Sequence, residues 1–139
     1  MMLAAAALFA FPPAQTFDGT ARTPAKVAFT QEVGGDEVDL FILRPRLRPV
    51  RVFRGGRQPQ WSPSGRYLAF YAKDGIWAYD ERQGTSKRLV PLEETPFYRS
   101  FDWSPDSRFI LYEKATPVYG LYAYDLAKRE SRRLTRGTT

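Results

Sequence analysis

The sequence predicts an all-β chain built from about three similar antiparallel sheets stacked on one another. Three observations carry that prediction: four short apolar blocks recur in a fixed order, the blocks are too short and too rich in β-branched and aromatic residues for helices, and many are apolar on both faces. The 139 residues are 43% hydrophobic and 26% charged, enough for one domain with a buried core. An aromatic content of 15%, with 11 prolines and 10 glycines, favours many short strands joined by tight turns.

The first block is Trp61-Ser62-Pro63-Ser64-Gly65, repeated as Trp103-Ser104-Pro105-Asp106-Ser107 after 42 residues. Next come the apolar runs Val27-Ala28-Phe29, Leu68-Ala69-Phe70 and Ile110-Leu111-Tyr112, whose first residues lie 41 and 42 apart. Leu40-Phe41-Ile42-Leu43, Ile76-Trp77-Ala78-Tyr79 and Leu121-Tyr122-Ala123-Tyr124 form the third block; Arg51-Val52-Phe53, Arg88-Leu89-Val90 and Arg133-Leu134-Thr135 form the fourth. Four blocks per period mean four strands per unit. The first unit has no Trp-Ser-Pro element and is expected to lack that strand. Ser, Pro and Asp or Ser suit successive positions of a type I turn, with Gly favoured in the fourth, so these serines are turn formers, not nucleophiles. Trp61 and Trp103 are packing anchors between sheets.

Runs that are apolar on both faces need cover on both sides, and no amphipathic helix is available to give it. The remaining cover is another copy of the same sheet, as in the blades of a propeller. The segment Gln58-Pro59-Gln60-Trp61-Ser62-Pro63-Ser64-Gly65, followed by Tyr67-Leu68-Ala69-Phe70, resembles the WD-like propeller repeat of TolB-type proteins. The third unit departs from that pattern with Phe101 in place of the proline and Ser107 in place of the glycine. The resemblance covers about residues 26–139 and implies a partial β-propeller of about three antiparallel four-stranded blades, the first lacking its inner strand. The units span about 26–57, 58–97 and 98–139. Propellers of this kind occur in periplasmic TolB and beside the catalytic domain of prolyl-oligopeptidase-like enzymes.

Residues 1–25 form a lead segment. Its apolar run, Leu3 to Phe11, is nine residues long, well short of the ~20 that span a bilayer. Small residues at Ala10 and Ala14 suit the cleavage end of a secretory signal, although no Lys or Arg precedes the run; a disordered or helical lead-in is the other reading. The expected location is periplasmic or secreted, otherwise cytoplasmic. A closed propeller needs at least four blades, or ~170 residues at this period, and 114 run from Lys26 onward. The chain is therefore expected to belong to a longer propeller or to self-associate and complete a ring.

The composition restricts chemistry sharply. With no histidine and no cysteine, the familiar nucleophile–base pairs cannot be assembled from this chain, and Gly-x-Ser-x-Gly is absent. Neither catalysis nor a cofactor is expected. Asp36, Glu37 and Asp39 cluster in a hairpin and suit a solvated turn; a weak calcium site is the competing reading, but the ligand spacing of a calcium loop is missing, so no metal site is expected. Arg44, Arg46, Arg48, Arg51, Arg54 and Arg57 fill a stretch without any acidic residue in a chain of net charge +6. They suit either an anion-binding surface or the charged exposed edge of an outer strand. Phe53, the one aromatic there, falls in a core register, so nucleic acid is not an expected partner.

What remains is a non-catalytic scaffold for a protein, peptide or other ligand, with a polyanion as a further candidate partner. Polar and aromatic residues beside the inner strands are the candidate contacts: Gln58 and Gln60 in the second unit, Tyr98, Arg99 and Asp102 in the third. Each equally suits hydrogen bonding between blades. The alternative is the propeller portion of a longer prolyl-oligopeptidase-like hydrolase, with its catalytic domain outside this sequence.

Overall fold

The computed structural model describes residues 26–92, 100–114 and 119–135. They form eleven strands in three antiparallel sheets and, among the described residues, no helix. The first sheet pairs β1 (Val27–Gly34), β2 (Glu37–Leu43) and β3 (Val50–Arg54) in sequence order. The second pairs β4 (Arg57–Trp61), β5 (Tyr67–Ala72), β6 (Gly75–Asp80) and β7 (Thr85–Pro91). The third pairs β8 (Phe101–Trp103), β9 (Phe109–Lys114), β10 (Gly120–Asp125) and β11 (Glu130–Arg133). Three, four and four strands is the count that the recurring blocks predict.

The second sheet shows why its strands are apolar throughout. Side chains alternate across a strand, and in β5 the set Leu68, Phe70 and Ala72 packs against Ala28, Leu40 and Ile42 of the first sheet. The opposite set, Ala69 and Tyr71, packs with Ile76 and Val90 against Phe101, Trp103, Ile110 and Tyr112 of the third. Cross-strand partners keep the two sets apart, since Phe70 pairs with Trp77 and Tyr71 with Ile76. The middle blade is covered on both faces by its neighbours, and the core is two inter-sheet layers.

The two Trp-Ser-Pro segments fold as tight turns between the inner strand and the next. Gly65 N donates to the Ser62 carbonyl at 2.8 Å, and Ser107 N to the Ser104 carbonyl at 2.9 Å. Each leading serine also accepts, through Oγ, the N–H that opens the next strand: Tyr67 N at 3.0 Å and Phe109 N at 2.8 Å. Both hydroxyls are thus engaged in holding the turn. The turns of neighbouring blades meet where Ser64 N donates to Ser107 Oγ at 2.8 Å.

The tryptophans anchor one blade on the next. Trp103 is buried, stacks at 6.3 Å on Tyr67 of the preceding blade and donates from Nε1 to the Gln60 carbonyl at 3.1 Å. Trp61 repeats the first contact with a cation in place of a ring, the Lys26 ammonium lying 4.0 Å from its ring centre.

Candidate functional site

The inner strands carry the candidate contacts. Between Arg57 and Gln60 the pairing of β4 with β5 slips, leaving Gln58 and Pro59 in a bulge. Pro59 fits there because a bulged position needs no ladder N–H. Gln58 takes a φ of 51° and is exposed. Gln60 and Asp102 are brought together: Gln60 Nε2 donates to Asp102 Oδ1 at 3.1 Å, and the same oxygen accepts Trp103 N at 2.8 Å. Of the two uses that the sequence leaves open for these residues, this geometry is the blade-to-blade bond. Tyr98 and Arg99 lie outside the described residues.

The arginine stretch divides in two. Arg44 reaches from the first blade to the second and holds both oxygens of Glu81, at 2.9 and 2.8 Å. Arg51 Nη1 donates to Asp39 Oδ2 at 3.1 Å. Asp39 is not in the solvated turn that the sequence predicts: it is 4% exposed, within β2 opposite Gln31, and its charge is met by Arg51. Arg57 donates to the Asp36 carbonyl. Arg46, Arg48 and Arg54 are exposed and form no ion pair among the described residues.

Arg46 and Arg48 crown the β2–β3 connection. The turn Arg44-Pro45-Arg46-Leu47 is closed by Leu47 N donating to the Arg44 carbonyl at 3.1 Å, with Arg46 at a φ of 61°. Proline second and a positive φ third define a type II turn, where Gly or Asn is the usual third residue. Arginine there carries backbone strain. Leu47 beside it is 62% exposed.

A second charged device recurs in blades two and three, and the sequence reading missed it. Arg66 binds Asp80 through Nε and Nη2 at 3.3 and 2.9 Å, and Arg108 binds Asp125 at the same two distances. Each aspartate also caps the turn that follows it: Asp80 Oδ1 accepts from Arg82 N and Gln83 N, Asp125 Oδ1 from Ala127 N and Lys128 N. The available signal was the 42-residue spacing of Arg66 and Arg108, the same as that of the tryptophans.

Hydrogen bonding to Arg108 first, and then to the Lys128 and Ala127 amides, holds the Asp125 carboxyl down at about 2. Asp80 is lowered for the same kind of reason, Arg66 leading. A carboxyl that binds its proton more weakly folded than unfolded stabilises the fold above its unfolded pKa and loses that contribution as pH falls through its folded pKa. Thermal stability is therefore expected to decline as pH falls from 3.8 to about 2. Asp125→Asn should lower the melting temperature at neutral pH and make that acid decline shallower; melting curves across the range check both, and an unchanged profile would rule out the clamp as its source.

No protein-family model and no curated protein matches this chain. Among solved structures, the chain is similar to the β-propeller domain of the Trilobed protease from Pyrococcus furiosus, which has an open velcro topology, with a TM-score of 0.61 and 19% identity. It is likewise similar to a structure described as putative TolB from Agrobacterium tumefaciens, with a TM-score of 0.61 and 20% identity, and to the tricorn protease, with 0.62 and 20%. The fold is a partial β-propeller of the TolB type. About four fifths of this chain is matched in each case, against 39%, 43% and 12% of those chains, so it spans less than half the length of each. The two inter-sheet layers are thus contacts between propeller blades, and the Gln60–Asp102 bond joins adjacent inner strands.

Proposed function

We propose that this chain is a non-catalytic propeller scaffold, acting after export, that binds a protein or peptide partner through its loops and bulges. The observation that carries the reading is the division of its polar residues. The paired groups Arg44, Arg51, Asp80, Asp125, Gln60 and Asp102 serve the frame, while Arg46, Leu47, Arg48 and Gln58 project from it. A strained Arg46 beside an exposed leucine favours recognition over stability at the loop tip. The partner surface that fits is acidic with an apolar spot, and a polyanion is its simplest probe.

Exchanging Arg46→Gly, Arg48→Ser and Arg54→Ser together should leave the fold intact, with Arg46→Gly adding up to about 1 kcal/mol by relieving the turn. The variant should elute from a heparin column at lower salt than the parent chain. Co-elution of the two would remove this loop as an anion-binding surface.

The hydrolase-associated reading is favoured by one observation: the Trilobed and tricorn proteases, an acylaminoacyl peptidase from Pyrococcus horikoshii and dipeptidyl peptidase 4 from Porphyromonas gingivalis all share this fold. Reading the frame past Thr139 separates the two. Further Trp-Ser-Pro units favour the scaffold, and a Gly-x-Ser-x-Gly element with downstream Asp and His favours the hydrolase. The outer faces of the first and third blades, with Val27, Phe29, Phe41 and Leu43 on one and Leu111 and Ala123 on the other, suit cover by another propeller sheet, from further blades or a second copy.

A further inference from the structure

One end of the sheet stack is a continuous basic surface that crosses all three blades. A run of contacts gathers its turns. The β2–β3 turn meets the β6–β7 turn through Arg44 and Glu81, and Glu81 N donates to the Arg66 carbonyl at the close of the β4–β5 turn. That turn meets the β8–β9 turn where Ser64 N donates to Ser107 Oγ, and Arg108, beside Ser107, clamps Asp125 at the head of the β10–β11 turn. The acids of these turns are engaged: Asp80, Glu81 and Asp125 in ion pairs, Asp106 with Ser104 Oγ and Arg108 N. Glu130, which opens β11, is the one acid at this end in no such contact among the described residues. The cations exceed them. Arg46, Arg48, Arg82, Lys128 and Arg129 are all exposed and form no ion pair among the described residues. At the opposite end both signs are exposed together, Glu32, Asp36 and Glu37 with Arg54 and Lys73. Solubility is served by interspersed charges, whereas like charges gathered at one end repel.

The backbone of the same turns adds a second observation. Arg129 N closes its turn on the Asp125 carbonyl at 2.7 Å, as Gly84 N closes the equivalent turn on Asp80 at 2.7 Å. Gly84 takes a φ of 67° there and Arg129 a φ of 59°. Blade two thus uses the unstrained residue, and blade three holds an arginine in its place at a conformational cost. Arg46 does the same in blade one. We propose that this end binds an acidic polypeptide laid across the three blades, with Arg82, Lys128 and Arg129 extending the contact that Arg46, Leu47 and Arg48 begin. The inference rests on the binding role proposed above and adds its face, its extent and its partner chemistry. Because the cations stand on separate turns and do not converge on one point, the anion that suits them is extended. Guanidinium forks pair with carboxylates in a bidentate way, and Leu47, 62% exposed among them, gives a protein partner an apolar contact to cover. An anionic bilayer is the poorer fit, since charge alone anchors a protein weakly unless an acyl chain or a broad apolar face enters with it.

The test is the binding of labelled poly-L-glutamate to the full chain, read by fluorescence anisotropy. The parent should bind, and Arg82→Ser, Lys128→Ser and Arg129→Gly together should weaken binding about tenfold. That variant should melt no lower than the parent, because Arg129→Gly relieves its turn. A charge-matched control, Lys73→Ser with Lys87→Ser and Lys114→Ser, takes its cations from the opposite end and the β7 edge and should stay within about twofold of the parent. Equal losses in the two variants would mean that net charge alone attracts the peptide, and would overturn the face. If the Arg82, Lys128 and Arg129 variant binds as the parent does while Arg46→Gly with Arg48→Ser abolishes binding, the three-blade surface falls and the single-loop site of the proposed function stands. A parent that binds heparin but not poly-L-glutamate overturns the polypeptide, and one that binds neither removes the loop's binding role as well. Sedimentation with vesicles of phosphatidylglycerol and phosphatidylcholine should leave the parent in the supernatant; co-sedimentation lost in the Arg82, Lys128 and Arg129 variant, without binding to poly-L-glutamate, would assign the face to lipid instead.

Discussion

Gly75→Ala is expected to remove on the order of 4 kcal/mol or more of folding stability, a large part of what a domain of this size has. Gly75 opens β6 opposite Ala72 on one side and Pro91 on the other, with a φ of +146°. A β-carbon there would lie 2.0 Å from the Val90 carbonyl oxygen, 3.0 Å from its carbon and 3.1 Å from Leu92 N. All three are main-chain atoms, so no rotamer change relieves the clash. Moving them would break the Leu92 N to Asp74 carbonyl bond and the close of the β6–β7 pairing. Gly84→Ala is the control for backbone conformation alone. Its φ is +67°, but its β-carbon would meet only the Tyr79 hydroxyl at 3.9 Å, so a cost of about 1 kcal/mol is expected. Urea midpoints of the two variants decide the matter; equal losses would mean that the contact with Val90 is not rigid.

The propeller was legible because its signal is local and repeated. A Trp-Ser-Pro turn is recognisable from residues adjacent in sequence, and the continuous apolar run Tyr67 to Ala72 already requires cover on two faces. The candidate site was legible only in position. Gln60 and Asp102 were picked out for lying beside inner strands, but that they bond to each other depends on how two blades are rotated against one another, which no window of sequence encodes. The arginine stretch failed in the same way. Arg44 and Glu81 are 37 residues apart and meet only once the first two blades stack. Asp39 looked like a turn residue because Asp36 and Glu37 precede it, yet it lies two residues into β2 beyond Glu37, opposite Gln31, where it is buried and its carboxylate is met by Arg51. The Arg66–Asp80 and Arg108–Asp125 clamps span a single hairpin each and share the repeat's spacing, so they were within reach of the sequence, masked by the commonness of surface Arg and Asp.

Phe70→Ala is expected to cost about 3–5 kcal/mol by opening a cavity between the first two blades. The Phe70 side chain is fully buried. Its ring lies 4.6 Å from that of Phe53, which in turn lies 5.0 Å from Trp77, the cross-strand neighbour of Phe70. Leu40 and Ile42 close the layer from the first blade. Removing the ring withdraws contacts from both sheets at once, and neither can move inward alone because each is held by its own ladder. The loss should appear as a lower urea midpoint with an unchanged slope; a loss under about 1 kcal/mol would mean that the first blade does not stack on the second in solution. Phe70→Tyr gives the converse test. At the equivalent place in the third blade Tyr112 donates its hydroxyl to Ser131 Oγ at 2.9 Å. Ser86 stands where Ser131 does, opposite Tyr79 as Ser131 is opposite Tyr124, and its Oγ is buried without a partner among the described residues. A tyrosine at position 70 would place a hydroxyl toward that atom, and the gained bond, about 1 kcal/mol, should offset the desolvation of the hydroxyl. Phe70→Tyr is therefore expected to be near neutral where Phe70→Ala is severe. If the tyrosine variant is as unstable as the alanine one, the two blades are not equivalent at this position, and the repeat register that links Phe70 to Tyr112 is wrong.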